Sequence, residues 1–210
     1  MPKAVLPTLS SDRPVIKSLS QLRAAEADCT RCSLFKNATQ VVPGAGRRHA
    51  RLMLVGEQPG DKEDLAGEPF VGPAGRILDR ALSDAGIARD NAFVTNAVKH
   101  FKHQMRGKRR LHKRPNAYEI ERCRWWLDYE RAIVKPAVIV AMGGTAVRSV
   151  FGRMAPINKM RGRRHRMPGG GTAFVTVHPS SLLRMPDEAD KERAYRDFVA
   201  DLKLAKQDLK

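Results

Sequence analysis

The sequence has three cysteines in 210 residues, 6% aromatic residues and no long apolar run. Three cysteines cannot close a disulfide framework, and with no apolar stretch near twenty residues a membrane-spanning helix is not expected. The N-terminus Met1-Pro2-Lys3-Ala4-Val5-Leu6-Pro7 lacks the continuous apolar core of a secretory signal, so a cytoplasmic protein is expected. The most informative shortage is of acid. From Asn91 to Tyr118 there is no Asp or Glu against eight Lys or Arg, and from Arg131 to Pro186 again none against ten. The formal charge of +17 is therefore held by two windows, and the remainder is close to neutral, with 21 basic residues against 22 acidic. Cationic charge segregated in this way points to a polyanionic partner, foremost a nucleic acid. Neither window reads as the long amphipathic helix of a membrane-surface protein.

What is present is an alternation of short β-branched runs and helical patterns. Arg51 to Val55, Ala92 to Ala97, Ala137 to Ala141 and Ala173 to Val177 read as strands buried in a parallel sheet. Helices are expected over Leu19 to Ala27, Ala74 to Ala85, Ala117 to Val134, Thr145 to Phe151 and Asp187 to Leu209. Four βα units predict a three-layer α/β/α fold around a four-stranded, mostly parallel sheet. The length suits a single domain over 1–210, with residues 1–17 expected to be flexible and Gly169-Gly170-Gly171 a loop. A monomer is expected.

Ligands of such sheets bind beyond the carboxyl ends of the strands. Gly56-Glu57-Gln58-Pro59-Gly60 follows the first strand, with Gly67 to Gly75 beyond it; Asn96 ends the second; His178-Pro179-Ser180 follows the fourth. The glycine spacing fits neither a dinucleotide fingerprint nor a phosphate loop. Within the first acid-free window, Gly107-Lys108-Arg109-Arg110-Leu111-His112-Lys113-Arg114-Pro115 sets one histidine among five cations. A charge run is ordinarily a solvated face, yet here the cations oppose protonation of His112, which leaves a neutral imidazole able to act as nucleophile, base or ligand. Cys29-Thr30-Arg31-Cys32, with the distant Cys123, suggests a metal or cluster site in a reducing compartment.

Taken in order, Cys29-x-x-Cys32, Gly56 to Gly60, Pro69-Phe70-Val71-Gly72-Pro73-Ala74-Gly75, Thr95-Asn96-Ala97-Val98-Lys99 and His178-Pro179-Ser180 resemble the iron-sulfur uracil-DNA glycosylases of family four. Lys108-Arg109-Arg110-Leu111-His112 resembles the signature of their UdgX relatives, which become covalently attached to DNA at the uracil site. Gln58, where family four commonly has Ala, and His100, where it has a cysteine, both follow the UdgX pattern.

The resemblance implies a [4Fe-4S] cluster held by Cys29, Cys32, His100 and Cys123, with His103 a rival for the histidine place. A Cys3His set also suits structural zinc. It further implies uracil-containing DNA as partner, taken single-stranded or with the base flipped out. Gln58, Phe70, Asn96 and His178 are expected to bind uracil, with Phe70 stacking and the Asn96 amide reading N3–H and O4. His178 and Glu57 are expected to support cleavage of the N-glycosidic bond, and His112 to bond to C1′ of the resulting site. Lys108, Arg109, Arg110, Lys113 and Ser180 are expected on the DNA-binding surface or holding the loop. Two alternatives remain: a turnover glycosylase in which His112 only contacts phosphate, and a non-enzymatic, zinc-stapled nucleic-acid-binding module.

Overall fold

The computed structural model describes residues 14–168 and 170–209. Its elements run α1 (Leu19–Ala27), β1 (Leu52–Gly56), α2 (Asp61–Ala66), α3 (Pro73–Asp84), β2 (Ala92–Asn96), β3 (His103–Arg106), β4 (Arg109–His112) and α4 (Ala117–Val134). There follow β5 (Val138–Met142), α5 (Gly144–Phe151), α6 (Ile157–Met160), β6 (His165–Arg166), β7 (Thr172–Thr176) and α7 (Glu188–Gln207). The four expected strands lie side by side in the order β2-β1-β5-β7, all parallel.

Alternation along these strands explains why each reads as a continuous apolar run. Leu52, Leu54, Val138 and Val140 face α3 and α7, packing against Leu78, Leu82, Phe198 and Leu202. Their neighbours Met53, Val55, Ile139 and Ala141 face α4 and α5, packing against Leu127, Val134, Val147 and Val150. Side chains of period two thus fill two cores, one on each face of the sheet. A third apolar cluster joins Leu22 of α1 to Ile120, Trp126 and Ile133 of α4 and encloses all three cysteines.

Two expectations need correction. The sheet has five strands rather than four, because the two-residue β6 adds antiparallel to the edge of β7. A pair of residues carries no periodicity, so the sequence offers no sign of it. The basic segment is not an irregular loop either: β3 and β4 form an antiparallel hairpin with His103 opposite His112 and Arg106 opposite Arg109. Its two-residue turn is Gly107-Lys108, and Gly107 has φ +57°, the left-handed conformation such turns favour.

The expected flexible stretch 1–17 falls mostly outside the described residues. At its described end, the Tyr129 hydroxyl donates to the Pro14 carbonyl at 2.7 Å, and the Lys17 N–H donates to Gln21 at 2.9 Å. Gly169 of the expected glycine loop also lies outside them. No helix among the described residues is long and apolar enough to cross a membrane.

Candidate active site

The carboxyl ends of β1, β2, β5 and β7 open into a cleft of roughly 840 Å³ whose walls include Glu57, Phe70, Asn96, His112, Gly143 and His178. The cleft depends on close backbone approach. A Cβ on Gly56 would stand 2.4 Å from Asn96 Oδ1 and 2.6 Å from the Phe70 ring, so any larger residue at the end of β1 would displace both. Phe70 has φ +60°, unusual for a side chain of its size and of a kind that costs on the order of 1–3 kcal/mol. Such strain is concentrated at functional sites. A Cβ on Gly75 would lie 1.7 Å from the Phe70 carbonyl oxygen, so the glycine lets α3 start directly against that strained residue.

Two buried polar atoms in this cleft have no protein partner, Asn96 Oδ1 and His178 Nε2. Their chemistry is complementary. The backbone N–H of Ser180 donates to His178 Nδ1 at 3.2 Å, and since an amide can only donate, Nδ1 accepts and the neutral ring carries its proton on Nε2. Burial pushes the His178 pKa down to about 4, with Arg184 and His112 acting in the same direction against the opposing carboxylate of Glu57. The site therefore presents one acceptor and one neutral donor. The Phe70 ring lies 5.9 Å from the His178 ring, tilted by 32°.

Glu57 forms the other wall. Thr145 Oγ1 donates to its Oε2 at 2.6 Å, while Oε1 stands 3.3 Å from His112 Nε2 and Arg114 Nε lies 3.9 Å from Oε2. Burial pushes the carboxyl up, but hydrogen bonds from His112 and Thr145 and the nearby imidazoles outweigh it and hold the group below the ordinary carboxylate range. The sequence places no carboxylate near His112, whereas the fold brings Glu57 to it.

The hairpin carrying His112 is held at its base and along one strand. Gln58 Nε2 donates to the carbonyls of Lys102 and Lys113 at 3.1 Å each, and its Oε1 accepts from Lys102 N–H at 3.1 Å. The Gln58 amide is thus occupied in joining the two legs of the hairpin, a different task from the base contact expected for it. Arg110 donates to Asp61 at 2.6 Å and to the fully buried Asp64 at 2.5 Å, and also to Thr39 at 3.0 Å. These contacts tie the hairpin to α2. Lys108, Arg109 and Lys113 are exposed, and Ser180 lines the cleft.

Cys29, Cys32 and Cys123 are buried free thiols of the third core cluster, and His100 is buried too. Among the described residues no three His, Cys, Asp or Glu side chains converge closely enough to hold a single metal ion. A cubane cluster holds its ligands farther apart than one zinc does, because four metal atoms stand between them. The donor set suits such a group. Trp126 Nε1 donates to Cys29 Sγ and the Lys99 backbone N–H to Cys123 Sγ, both at 3.1 Å, contacts of the kind that stabilise cluster-bound sulfur. Burial raises the Cys32 and Cys123 thiols and lowers His100. His103 opens β3, its ring stacked 5.0 Å from that of Phe101.

Several residues escape a reading of sequence alone. Thr145 follows the third strand of the chain's parallel set in Gly143-Gly144-Thr145, and the carboxyl-end rule applies there as it does to the other strands. Asp61 and Asp64 stand one helical turn apart, a spacing that puts both on one face of α2 for Arg110. Lys99 is fully buried; its Nζ donates to Glu130 at 2.8 Å and to the Asn96 carbonyl at 3.0 Å, tying the end of β2 to α4.

The sequence is similar to Type-4 uracil-DNA glycosylases of Thermotoga maritima, at 39% identity over 74% of this chain and 78% of the relative, and of Pyrobaculum aerophilum, at 35% over 80% and 86%. The relative from Archaeoglobus fulgidus is 31% identical over 81% of this chain and 86% of its own. The sequence profile described as "Uracil DNA glycosylase superfamily" matches residues 43–203, a span that includes the cleft, the hairpin and the strand ends described above. With that match the cleft has its context: this chain belongs to the uracil-DNA glycosylase superfamily.

Proposed function

We propose that the protein excises uracil from DNA and becomes joined through His112 to C1′ of the sugar it exposes. The observation that carries the first half is the pair of partnerless buried atoms, an acceptor at Asn96 Oδ1 and a neutral N–H donor at His178 Nε2. Uracil offers a donor at N3 and an acceptor at O2, whereas cytosine has no hydrogen at N3. A wrong base would leave Asn96 unpaired, at about 1–3 kcal/mol. The printed function of the Type-4 relatives, uracil-DNA glycosylase, agrees with this reading.

In the reaction the C1′–N1 bond breaks and its electron pair leaves with the base, spread over N1 and O2. The buried His178 Nε2–H donates to O2 as charge grows there. Glu57 is ionised and faces the sugar cation. The second half rests on the contact between His112 and Glu57. A ring nitrogen of His112 forms the new C–N bond to C1′ with its lone pair, the imidazole becomes a cation, and the Glu57 carboxylate balances it. The uracil anion takes its proton from solvent. Attack by water at the same carbon would instead release both products.

The site proposed for the iron-sulfur group consists of Cys29, Cys32, His100 and Cys123, which would hold it between α1 and α4. Bound there, a [4Fe-4S] cluster would supply a covalent staple that joins the N-terminal segment to α4. With His103 on the hairpin, His100 is the histidine suited to the set. Uracil-containing and thymine-containing single strands, incubated with the protein and run on a denaturing gel, test the whole proposal. Uracil alone should give a species with the combined mass of protein and strand, and Asn96→Ala should reduce it strongly while leaving binding to uracil-free DNA nearly unchanged, because phosphate contacts dominate that binding.

A further inference from the structure

A second cavity, of roughly 500 Å³, opens at the opposite ends of the same strands, where β1 and β2 begin. Arg47, His49, Arg51, Lys203 and Lys206 line it, all exposed, with no Asp or Glu among its lining residues. The two arginines and two lysines lie outside both acid-free windows, in the part of the chain where basic and acidic residues otherwise balance. Their collection around one hole is thus a local feature of the fold. Arg47, Arg48, His49 and Arg51 fall in one short segment that has no part in the cleft.

The segment is firmly placed. Ala45 exchanges backbone hydrogen bonds with Val94 of β2, at 2.8 and 2.7 Å, and Gly46 approaches so closely that a Cβ would lie 2.5 Å from the Ala92 carbonyl oxygen. The Ala50 N–H then donates to the Arg47 carbonyl at 3.1 Å, which turns the arginines over the opening. Lys203 and Lys206 reach it from the last turns of α7. Beneath the charged rim the lining includes the apolar Leu52, Ile87 and Leu209, with Asn91 and Gln207 beside them, and it includes no Phe, Tyr or Trp.

From this combination we infer that the cavity is a docking site for an acidic, extended segment of a partner protein that buries an apolar side chain on the floor while its carboxylates meet the rim. The volume suits one or two side chains rather than a folded surface. A single nucleic-acid strand fits less well, since bases in such sites stack in succession on several aromatic side chains and His49 is the one ring among the lining residues. Charge complementarity on the rim sets encounter and register, and the apolar floor supplies selectivity.

The test is fluorescence anisotropy with a labelled peptide of four acidic residues ending in Leu-Phe, against the same peptide ending in Ser-Ser, at about 0.15 M salt. The apolar-ended peptide should bind wild type saturably and on the order of tenfold more tightly than the serine-ended one. The double substitution Lys203→Glu, Lys206→Glu should weaken it by a similar factor while leaving the reaction with uracil-containing strands unchanged. Ala88→Phe, which fills the opening without altering charge, should weaken only the apolar-ended peptide. Equal binding of the two peptides, or binding indifferent to all three substitutions, would overturn the inference. So would an equal loss of affinity for a uracil-free oligonucleotide in the double variant, which would make the cavity a nucleic-acid site.

Discussion

Thr145 and Glu57 are joined by a 2.6 Å hydrogen bond that fixes one carboxylate oxygen against the start of α5 and leaves the other facing His112. Thr145 is itself fully buried, so its hydroxyl has no competing water, and the carboxylate is oriented before DNA arrives. The cleft wall is therefore a chain of contacts running from α5 through Glu57 to the hairpin.

Thr145→Val keeps the shape and removes the donor. Losing one hydrogen bond to a charged group should slow formation of the protein–DNA bond by about tenfold. Because that bond helps hold the Glu57 carboxyl down, the acidic limb of the rate–pH profile should move to higher pH, while Thr145→Ser should restore both. Single-turnover rates between pH 4 and 8 make the check.

Gln58→Ala cuts the three hydrogen bonds at the base of the hairpin, and Arg110→Ala leaves the buried Asp64 without its cation. Both should slow covalent capture by at least about tenfold, since small errors in placing a nucleophile are costly. Release of uracil should fall less, because Asn96, His178 and Phe70 lie outside the hairpin. Limited trypsin digestion should show faster cleavage at Arg106 to Arg109 in both variants.

These contacts also show what sequence can reveal. The four parallel strands were legible because side chains alternating between two cores leave unbroken apolar runs such as Leu52-Met53-Leu54-Val55. The placing of Glu57, Asn96 and His178 in one cleft followed from strand ends alone. Partners distant in the chain were not legible. Arg110 meets Asp61 and Asp64 across nearly fifty residues, so a segment that reads as unrelieved positive charge is partly neutralised in space. The resemblance sets Gln58 among the uracil-binding residues, whereas its amide is taken up by backbone groups that only the hairpin brings together.

His178 predicts a pH dependence of stability. Its native pKa lies below the ordinary 6.5, so between about 6.5 and about 4 the unfolded chain binds a proton that the native one refuses. Its contribution is fully present above pH 6.5 and is lost as pH falls through that window, by about 3 kcal/mol in all. Denaturant unfolding of wild type and His178→Gln should show a wild-type decline on acidification that is correspondingly shallower in the variant.

The proposed cluster predicts colour. Replacing Cys29, Cys32 or Cys123 by Ala should bleach a brown protein and lower its midpoint of thermal unfolding, whereas His100→Cys should keep the absorbance, because thiolate is the common ligand. His103→Ala should leave it intact. Visible absorption and iron and sulfide analysis of protein purified without oxygen decide the matter, and one tightly bound zinc in a colourless wild type would refute it.

His112 is the residue proposed to supply the nitrogen of the bond to DNA. The direct measurement is a denaturing gel of wild type and His112→Ala after reaction with a uracil-containing single strand, together with mass spectrometry of the digested adduct. The account predicts a boiling-resistant species for wild type with the sugar on the peptide containing His112, and none for His112→Ala, which should still free uracil with water as the attacker. Free uracil with no joined species in the wild type, or an undiminished joined species in His112→Ala, would contradict it.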